Sequence, residues 1–170
     1  MINLRKIEPT DLPFLYQWEN DASVWADGNT HNPLSQQDLR DYIESTTGDI
    51  YRDGQLRLII EEQLPITNHQ SPITTLGCID LFDFDPLNRR AALGMYIAPE
   101  HRGKGVGREA LRQMENYAFE HLNLRVLYAI IATKNVACSD LYKKEGYAPS
   151  SILKNWTLAS DAVIWIKTQD

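Results

Sequence analysis

Three glycines at alternate positions, Gly103, Gly105 and Gly107, are interleaved with Lys104 and Val106 and flanked by Arg102 and Arg108. Glycine lets a backbone turn tightly and present its N–H groups with no side chain in the way. The run follows a strand-like stretch, Leu93 to Ala98, closed by Pro99, and opens a long amphipathic segment. A helix starting here adds unpaired N–H groups and the positive end of its dipole. Strand, basic glycine loop and helix N-terminus together suit the gripping of a phosphate or pyrophosphate.

Two common phosphate grips fail on spacing. A P-loop needs GxxxxGK followed by Ser or Thr, and here Lys104 is followed by Gly105. A dinucleotide fingerprint needs GxGxxG and an acid about 20 residues on. The stretch at that offset, Asn123-Leu124-Arg125, holds no acid.

The loop needs elements to hold it. Alternating residues predict a strand over Ile2 to Ile7, then a helix capped by Thr10 or Asp11 through about Glu19. Residues 20–34 read as loop. Ser35 caps a helix from Gln36 to about Ser45. Strands follow over Leu56 to Glu62, Ile73 to Phe84 and Arg89 to Ala98, with Gln63 to Ser71 as a loop and Asp85-Pro86-Leu87-Asn88 as a turn. A central helix is predicted from Gly105 to about His121, with Val106, Ala110, Leu111, Met114, Tyr117, Ala118 and Leu122 on one face. Arg125 to Ala132 is apolar at nearly every position, as in a strand covered on both faces. Asn135 to Glu145 is a short helix stopped by Gly146, then a strand or turn begins at Tyr147. A last strand spans Ala162 to Lys167. The order predicts an α/β (α+β) fold, a mixed sheet with helices on its faces.

With 170 residues, 43% apolar and 24% charged, the chain fits one domain over 1–170 with a proper core. A net charge of −6 argues against non-specific nucleic-acid binding and makes the basic cluster at 102–108 stand out. Cys78 and Cys138 have no CxxC spacing, and the four histidines form no metal motif, so neither a disulfide scaffold nor a metal is expected. No apolar h-region follows the N-terminus, and no run approaches 18 apolar residues. A cytoplasmic protein without membrane contact is therefore expected.

The run Ile97 to Gly107 resembles the pyrophosphate-binding motif of the GNAT superfamily of acetyl-CoA-dependent N-acetyltransferases. That pattern is Arg or Gln, two residues, Gly, one residue, then Gly or Ala, met by Arg102, Gly105 and Gly107. A second segment, Asn135 to Tyr147, resembles the family's N-x-x-A-x-x-L-Y-x-x-x-G-F, with Ser139 at the small position and Tyr147 in place of the Phe. The element order matches from end to end, which implies a mostly antiparallel central sheet flanked by helices. Gly77-Cys78-Ile79-Asp80-Leu81, Asn88-Arg89-Arg90-Ala91 and Tyr117-Ala118-Phe119 look most like the branch holding spermidine N-acetyltransferases and ribosomal-protein alanine acetyltransferases.

The resemblance implies roles. Arg102, Gly103, Lys104, Gly105, Val106, Gly107 and Arg108 would hold the pyrophosphate of acetyl-CoA. Met95, Tyr96 and Ile97 would pair with its pantetheine arm, and the Ile97 N–H would stabilise the oxyanion. Asn135 would bond a pantetheine amide, although Asn is also a favoured helix cap. Tyr142 would be the general acid for the leaving thiolate, where spacing alone reads it as core. Asp80 lies mid-strand between apolar residues, a costly place for an unpaired carboxylate. It is the candidate base, or else a strand charge facing solvent or pairing with Arg89 or Arg90.

The acceptor is expected at the first helices, where Trp18, Glu19, Asp21, Trp25 and Asp27 bring acids and aromatics together. Such a mixture suits a cationic amine, polyamine-like or a protein N-terminus. Trp18 equally fits a core position. The family's frequent dimerisation leaves a homodimer or higher homo-oligomer open. The competing class is a non-catalytic CoA-binding or regulatory module of the same fold.

Overall fold

The computed structural model describes residues 1–25, 32–63, 73–158 and 160–169. Seven strands form one sheet: β1 (Ile2–Lys6), β2 (Leu56–Gln63), β3 (Ile73–Asp85), β4 (Arg90–Ile97), β5 (Val126–Ala132), β6 (Ala148–Leu153) and β7 (Ala162–Thr168). Their spatial order is β1-β2-β3-β4-β5-β7-β6. All neighbours run antiparallel except β4 and β5, which are parallel. The helices are α1 (Leu12–Glu19), α2 (Ala22–Trp25), α3 (Gln36–Ser45), α4 (Ile50–Asp53), α5 (Val106–Asn116) and α6 (Val136–Lys144).

Strand alternation divides the core between the two faces of the sheet. Ile79, Leu81, Ala91, Leu93 and Leu127 pack with Val106, Ala110, Leu111 and Met114 of α5. Each of the larger aliphatic side chains among them contributes roughly 1.5–3 kcal/mol. On the opposite face Ile59 and Cys78 lie under Leu15 and Trp18 of α1 and Leu39 and Ile43 of α3.

Local chemistry sets the element ends. Ser35 caps α3 by accepting from Asp38 N at 3.1 Å, while Asp38 bonds back to Ser35 N. Asp11 precedes α1, but its side chain does not cap it. Its carboxylate is taken by Arg5, with two bonds of 2.7 Å.

Three expectations are revised, and one helix is added. The loop predicted over 20–34 contains the short helix α2, and residues 26–31, including Asp27, lie outside the described residues. So does most of the predicted loop after β2, at 64–72. The central helix is α-helical only to Asn116, and Tyr117–His121 widens into a π turn. β5 is not covered on both faces, since Ile130 is 40% exposed. Leu127, Ala129 and Ile131 face the α5 side, whereas α1 and α3 cover only the β2 to β4 part of the other face. The helix α4 was not foreseen, although Asp49 caps it and Gly54 ends it in a left-handed conformation.

Candidate active site

β4 and β5 pair only at Arg90 with Val126, Ala91 with Leu127 and Ala92 with Tyr128. Beyond these residues the strands part, opening the sheet in its middle. β4 stays paired to β3 throughout, with Met95 opposite Ile79 and Ile97 opposite Gly77. Ala98 N donates to Leu76 O at 2.9 Å. By the alternation of an antiparallel ladder, the N–H groups of Met95 and Ile97 then turn away from β3, toward the opening. The approach of the chains is close enough that a Cβ on Gly77 would lie 2.0 Å from the Tyr96 carbonyl oxygen.

The glycine loop stands at the end of β4. Gly103 and Gly105 have φ of 73° and 83°. A Cβ on either would meet nothing within 4 Å, so backbone conformation demands glycine there, and the space beside the loop is open. Gly105 caps α5 with no side-chain hydrogen bond. The first intrahelical bond runs from Glu109 N to Gly105 O at 3.1 Å, so the N–H groups of Val106, Gly107 and Arg108 have no carbonyl within the helix. Gly107 serves another purpose. A Cβ there would come within 3.1 Å of Met95 Cε and 3.5 Å of Leu141 Cδ2, so its bareness seats α5 against β4 and α6.

The loop's basic residues separate in role. Arg102 Nε donates to Ile97 O at 2.8 Å, and its guanidinium lies 5.7 Å from the centre of the Tyr96 ring. It pins the loop to its own strand. Arg108 bonds Glu145 Oε1 at 2.5 Å and Arg112 bonds Oε2 at 2.7 Å. Burial alone would push the Glu145 carboxyl up, but hydrogen bonds from Arg112 and Arg108 outweigh it and hold the group below its ordinary value. Lys104 is exposed at the loop.

On α6, Asn135 Oδ1 accepts from Cys138 N at 3.2 Å. The cap uses the oxygen of the side chain and not its amide NH2 group. Tyr142 is 2% exposed and belongs to the same packed cluster as Met95 and Ile97. Burial pushes its phenol well above the ordinary range, with the nearby Cys138 and Glu115 adding to the shift. The helix ends by donation from Tyr147 N to Tyr142 O at 3.0 Å and from Gly146 N to Lys143 O at 3.2 Å, with Gly146 at φ 90°.

Asp80 lies on the opposite face. Arg57 Nε meets Asp80 Oδ1 at 2.7 Å and Arg57 Nη2 meets Oδ2 at 2.9 Å. Arg57 Nη1 also reaches Glu19 Oε1 at 2.5 Å. The pairings considered with Arg89 or Arg90 do not form: Arg89 bonds Asn123 and Arg90 pairs with Asp85. Arg57 is the register partner of Asp80 across β2 and β3, so the two side chains share a face. The sequence reading missed Arg57. Its signal was a charge inside Leu56-Arg57-Leu58, mirroring Ile79-Asp80-Leu81.

Trp18 is 5% exposed, with its ring between Phe14 and Tyr96, and belongs to the core. Trp25 Nε1 donates to Glu19 O at 3.0 Å. Burial pushes the Tyr96 phenol up, and the charge of Asp21 adds to this, which places Asp21 near that end of β4. Glu19, Leu34, Asp38, Leu39, Tyr42 and Arg57 line a groove on this face.

The family model for the acetyltransferase (GNAT) domain matches residues 2–148. The chain belongs to the GNAT acetyltransferase family, whose members use acetyl-CoA as acetyl donor. It is 27% identical over 150 residues to spermidine N(1)-acetyltransferase of Escherichia coli (strain K12), covering 86% of this chain and 73% of that protein. A Vibrio cholerae spermidine N(1)-acetyltransferase is 25% identical over 146 residues, covering 86% and 78%. A crystal structure of spermidine N-acetyltransferase from Vibrio cholerae in complex with CoA and spermine superimposes with a TM-score of 0.86 at 23% identity, covering 99% of this chain and 95% of that one. The mixed, mostly antiparallel fold is thus that of an N-acetyltransferase.

Proposed function

We propose that the acceptor is a primary amine of a polyamine-like small molecule, acetylated by direct attack within a ternary complex with acetyl-CoA. The observation that carries this reading is the groove on the α1/α3 face. Glu19, paired with Arg57, and Asp38, engaged by Ser35 in the α3 cap, put two carboxylates beside apolar Leu34 and Leu39 and the ring of Tyr42. Separated anions with apolar surface between them suit a cation chain with alkyl spacers. The named activity of the spermidine acetyltransferase relatives supports the same acceptor class.

The donor side follows from the backbone. The uncapped start of α5 and the open space at Gly103 and Gly105 fit the pyrophosphate of acetyl-CoA. Lys104 supplies charge at the loop, while Arg102 and Arg108 shape it from behind. Met95 and Ile97 offer N–H groups to the pantetheine arm, and Asn135 offers its amide NH2. As the amine nitrogen bonds to the thioester carbon, negative charge gathers on the carbonyl oxygen, where the Ile97 N–H stabilises it. Collapse breaks the carbon–sulfur bond, and Tyr142 gives its O–H proton to the departing thiolate. Burial keeps Tyr142 protonated up to that moment.

For Asp80 the geometry favours a different part from the base first considered. Both of its oxygens are bonded to Arg57, so the carboxylate is committed to that ion pair and not presented to the amine. Through Arg57 it fixes Glu19 at the groove, where Glu19 meets the acceptor's positive charge, and the amine's proton leaves through solvent.

A turnover screen with acetyl-CoA across polyamines, amino acids, N-terminal peptides and aminoglycosides tests the acceptor. Release of CoA thiol with spermidine or spermine above all other amines is expected. Turnover confined to N-terminal peptides or aminoglycosides would overturn the polyamine assignment. Binding of acetyl-CoA with no turnover of any amine would restore the non-catalytic module.

A further inference from the structure

Position 147 holds tyrosine where the matching segment of the family carries phenylalanine. In the C-terminal motif of α6, the Tyr147 N–H bonds the Tyr142 carbonyl, and the two rings meet edge-on with centroids 4.8 Å apart. An apolar contact of this kind accompanies such helix ends, and phenylalanine makes it equally well. The hydroxyl is therefore additional. It is also buried, in a residue 3% exposed, where an unpartnered polar group costs about 1–3 kcal/mol.

Its surroundings are charged. Glu115 of α5 is 6% exposed. Lys167 Nζ on β7 bonds Glu115 Oε2 at 2.7 Å and the Glu145 carbonyl at 2.8 Å. The same Nζ lies 5.5 Å from the centre of the Tyr147 ring. Among the described residues, three buried side-chain polar atoms find no hydrogen-bond partner: Glu115 Oε1, Tyr147 OH and Trp165 Nε1. The Tyr147 hydroxyl and the Glu115 carboxylate face one another without closing a bond of ordinary geometry.

We propose that Tyr147, Glu115 and Lys167 are a positioning network for Tyr142, fixing the place and orientation of its ring for proton delivery to the thiolate. The inference rests on the reading of Tyr142 as the proton donor. Three connections carry it. Lys167 and Glu115 join β7 to α5 around Tyr147. The Tyr147 ring abuts Tyr142. The N–H groups of Tyr147 and Glu145 both hold the Tyr142 carbonyl, at 3.0 and 3.1 Å. The groups facing the two phenols are Glu115 from α5, Lys167 from β7, Glu145 at the end of α6, and Cys138 one turn earlier on α6. Burial and the Glu115 anion push both phenols upward, and an anion beside a phenol disfavours its ionisation. No member of the network need exchange a proton itself.

Tyr147→Phe keeps the ring contact and deletes only the hydroxyl. In that variant, kcat should fall about three- to tenfold, with the acetyl-CoA KM within about twofold of wild type and an unchanged or raised Tm. In a Tyr142→Phe background the same substitution should have no further effect on kcat. Glu115→Gln should also lower kcat with the acetyl-CoA KM little changed, because it removes the carboxylate that holds Lys167 beside the Tyr147 ring. Wild-type kcat in Tyr147→Phe, with Tyr142→Phe impaired, overturns the network and leaves Tyr142 as the donor. Full activity in Tyr142→Phe overturns the underlying reading instead. A Tyr147→Phe effect that persists without the Tyr142 hydroxyl also overturns the network. Should Glu115→Gln fail to fold, the double-mutant cycle decides alone.

Discussion

The two faces of the sheet are built for recognition in different ways. On the α5 face the candidate donor site is mostly backbone: an uncapped helix start, two glycines with positive φ, and a strand edge where β5 has parted from β4. On the α1/α3 face the candidate acceptor site is mostly side chain, with Arg57 gathering Glu19 and Asp80 beside Tyr42. Backbone donors suit a ligand whose phosphates and amides never change. Side-chain charges can be exchanged one at a time, which suits the half that must differ among relatives with different amines.

The largest effect should come from Tyr142→Phe. Loss of a proton donor predicts a fall in kcat of about 10²-fold or more, with the acetyl-CoA KM little changed, in steady-state assays of thiol release. Intact turnover would show that the donor face binds acetyl-CoA without supplying the proton. Next in size is Asp80→Asn, which weakens the bidentate hold on a half-buried arginine. A stability loss of about 1–3 kcal/mol is expected in denaturant titrations. Its kcat/KM for polyamine should drop about tenfold or more while the acetyl-CoA KM stays put. Equal damage to both substrates would dissolve the division between the faces.

A third pair separates the glycines. Gly107→Val drives a branched side chain into Met95 and Leu141, an overpacking cost of about 1–3 kcal/mol visible as a lower Tm. Gly105→Ala meets no neighbour and costs about 1 kcal/mol through its left-handed backbone. Its larger consequence should be a weaker acetyl-CoA affinity by isothermal titration. The smallest effect is that of Arg108→Ala, about 1 kcal/mol or less, because the guanidinium is more than half exposed and Arg112 remains. Glu145 titrates below its ordinary value when folded. Its contribution is therefore complete above the ordinary carboxylate range and is lost as pH falls through the folded value. The gap between wild type and Arg108→Ala should accordingly close in acid, as followed by thermal melts from pH 7 down to about pH 3.

The contrast between the faces also explains what was readable in the sequence. Gly103, Gly105 and Gly146 announce left-handed backbone that few other residues adopt, and Ser35 carries a capping hydroxyl, so the loop, the α3 cap and the end of α6 were legible. Asn135 was read both as a cap and as a ligand contact, and the structure shows the cap. The parting of β4 from β5 left no mark in residue type, because both strands stay mostly apolar past Ala92, where their pairing ends. Arg57 went unread because its partners lie 23 and 38 residues away, and only the register of β2 on β3 brings them together. Trp18 and its acidic neighbours illustrate the same limit. Clustered in sequence, they diverge in space, with the indole in the core and Glu19 at the groove.

The opening between β4 and β5 also bears on how the chain behaves between turnovers. A parted strand inside a sheet is an edge, and edges invite foreign strands. An acetyl-CoA arm seated there, as proposed above, would act as a guard against such pairing, and mass action would make the protection grow with acetyl-CoA concentration. The chain should therefore resist aggregation best when its acetyl donor is plentiful.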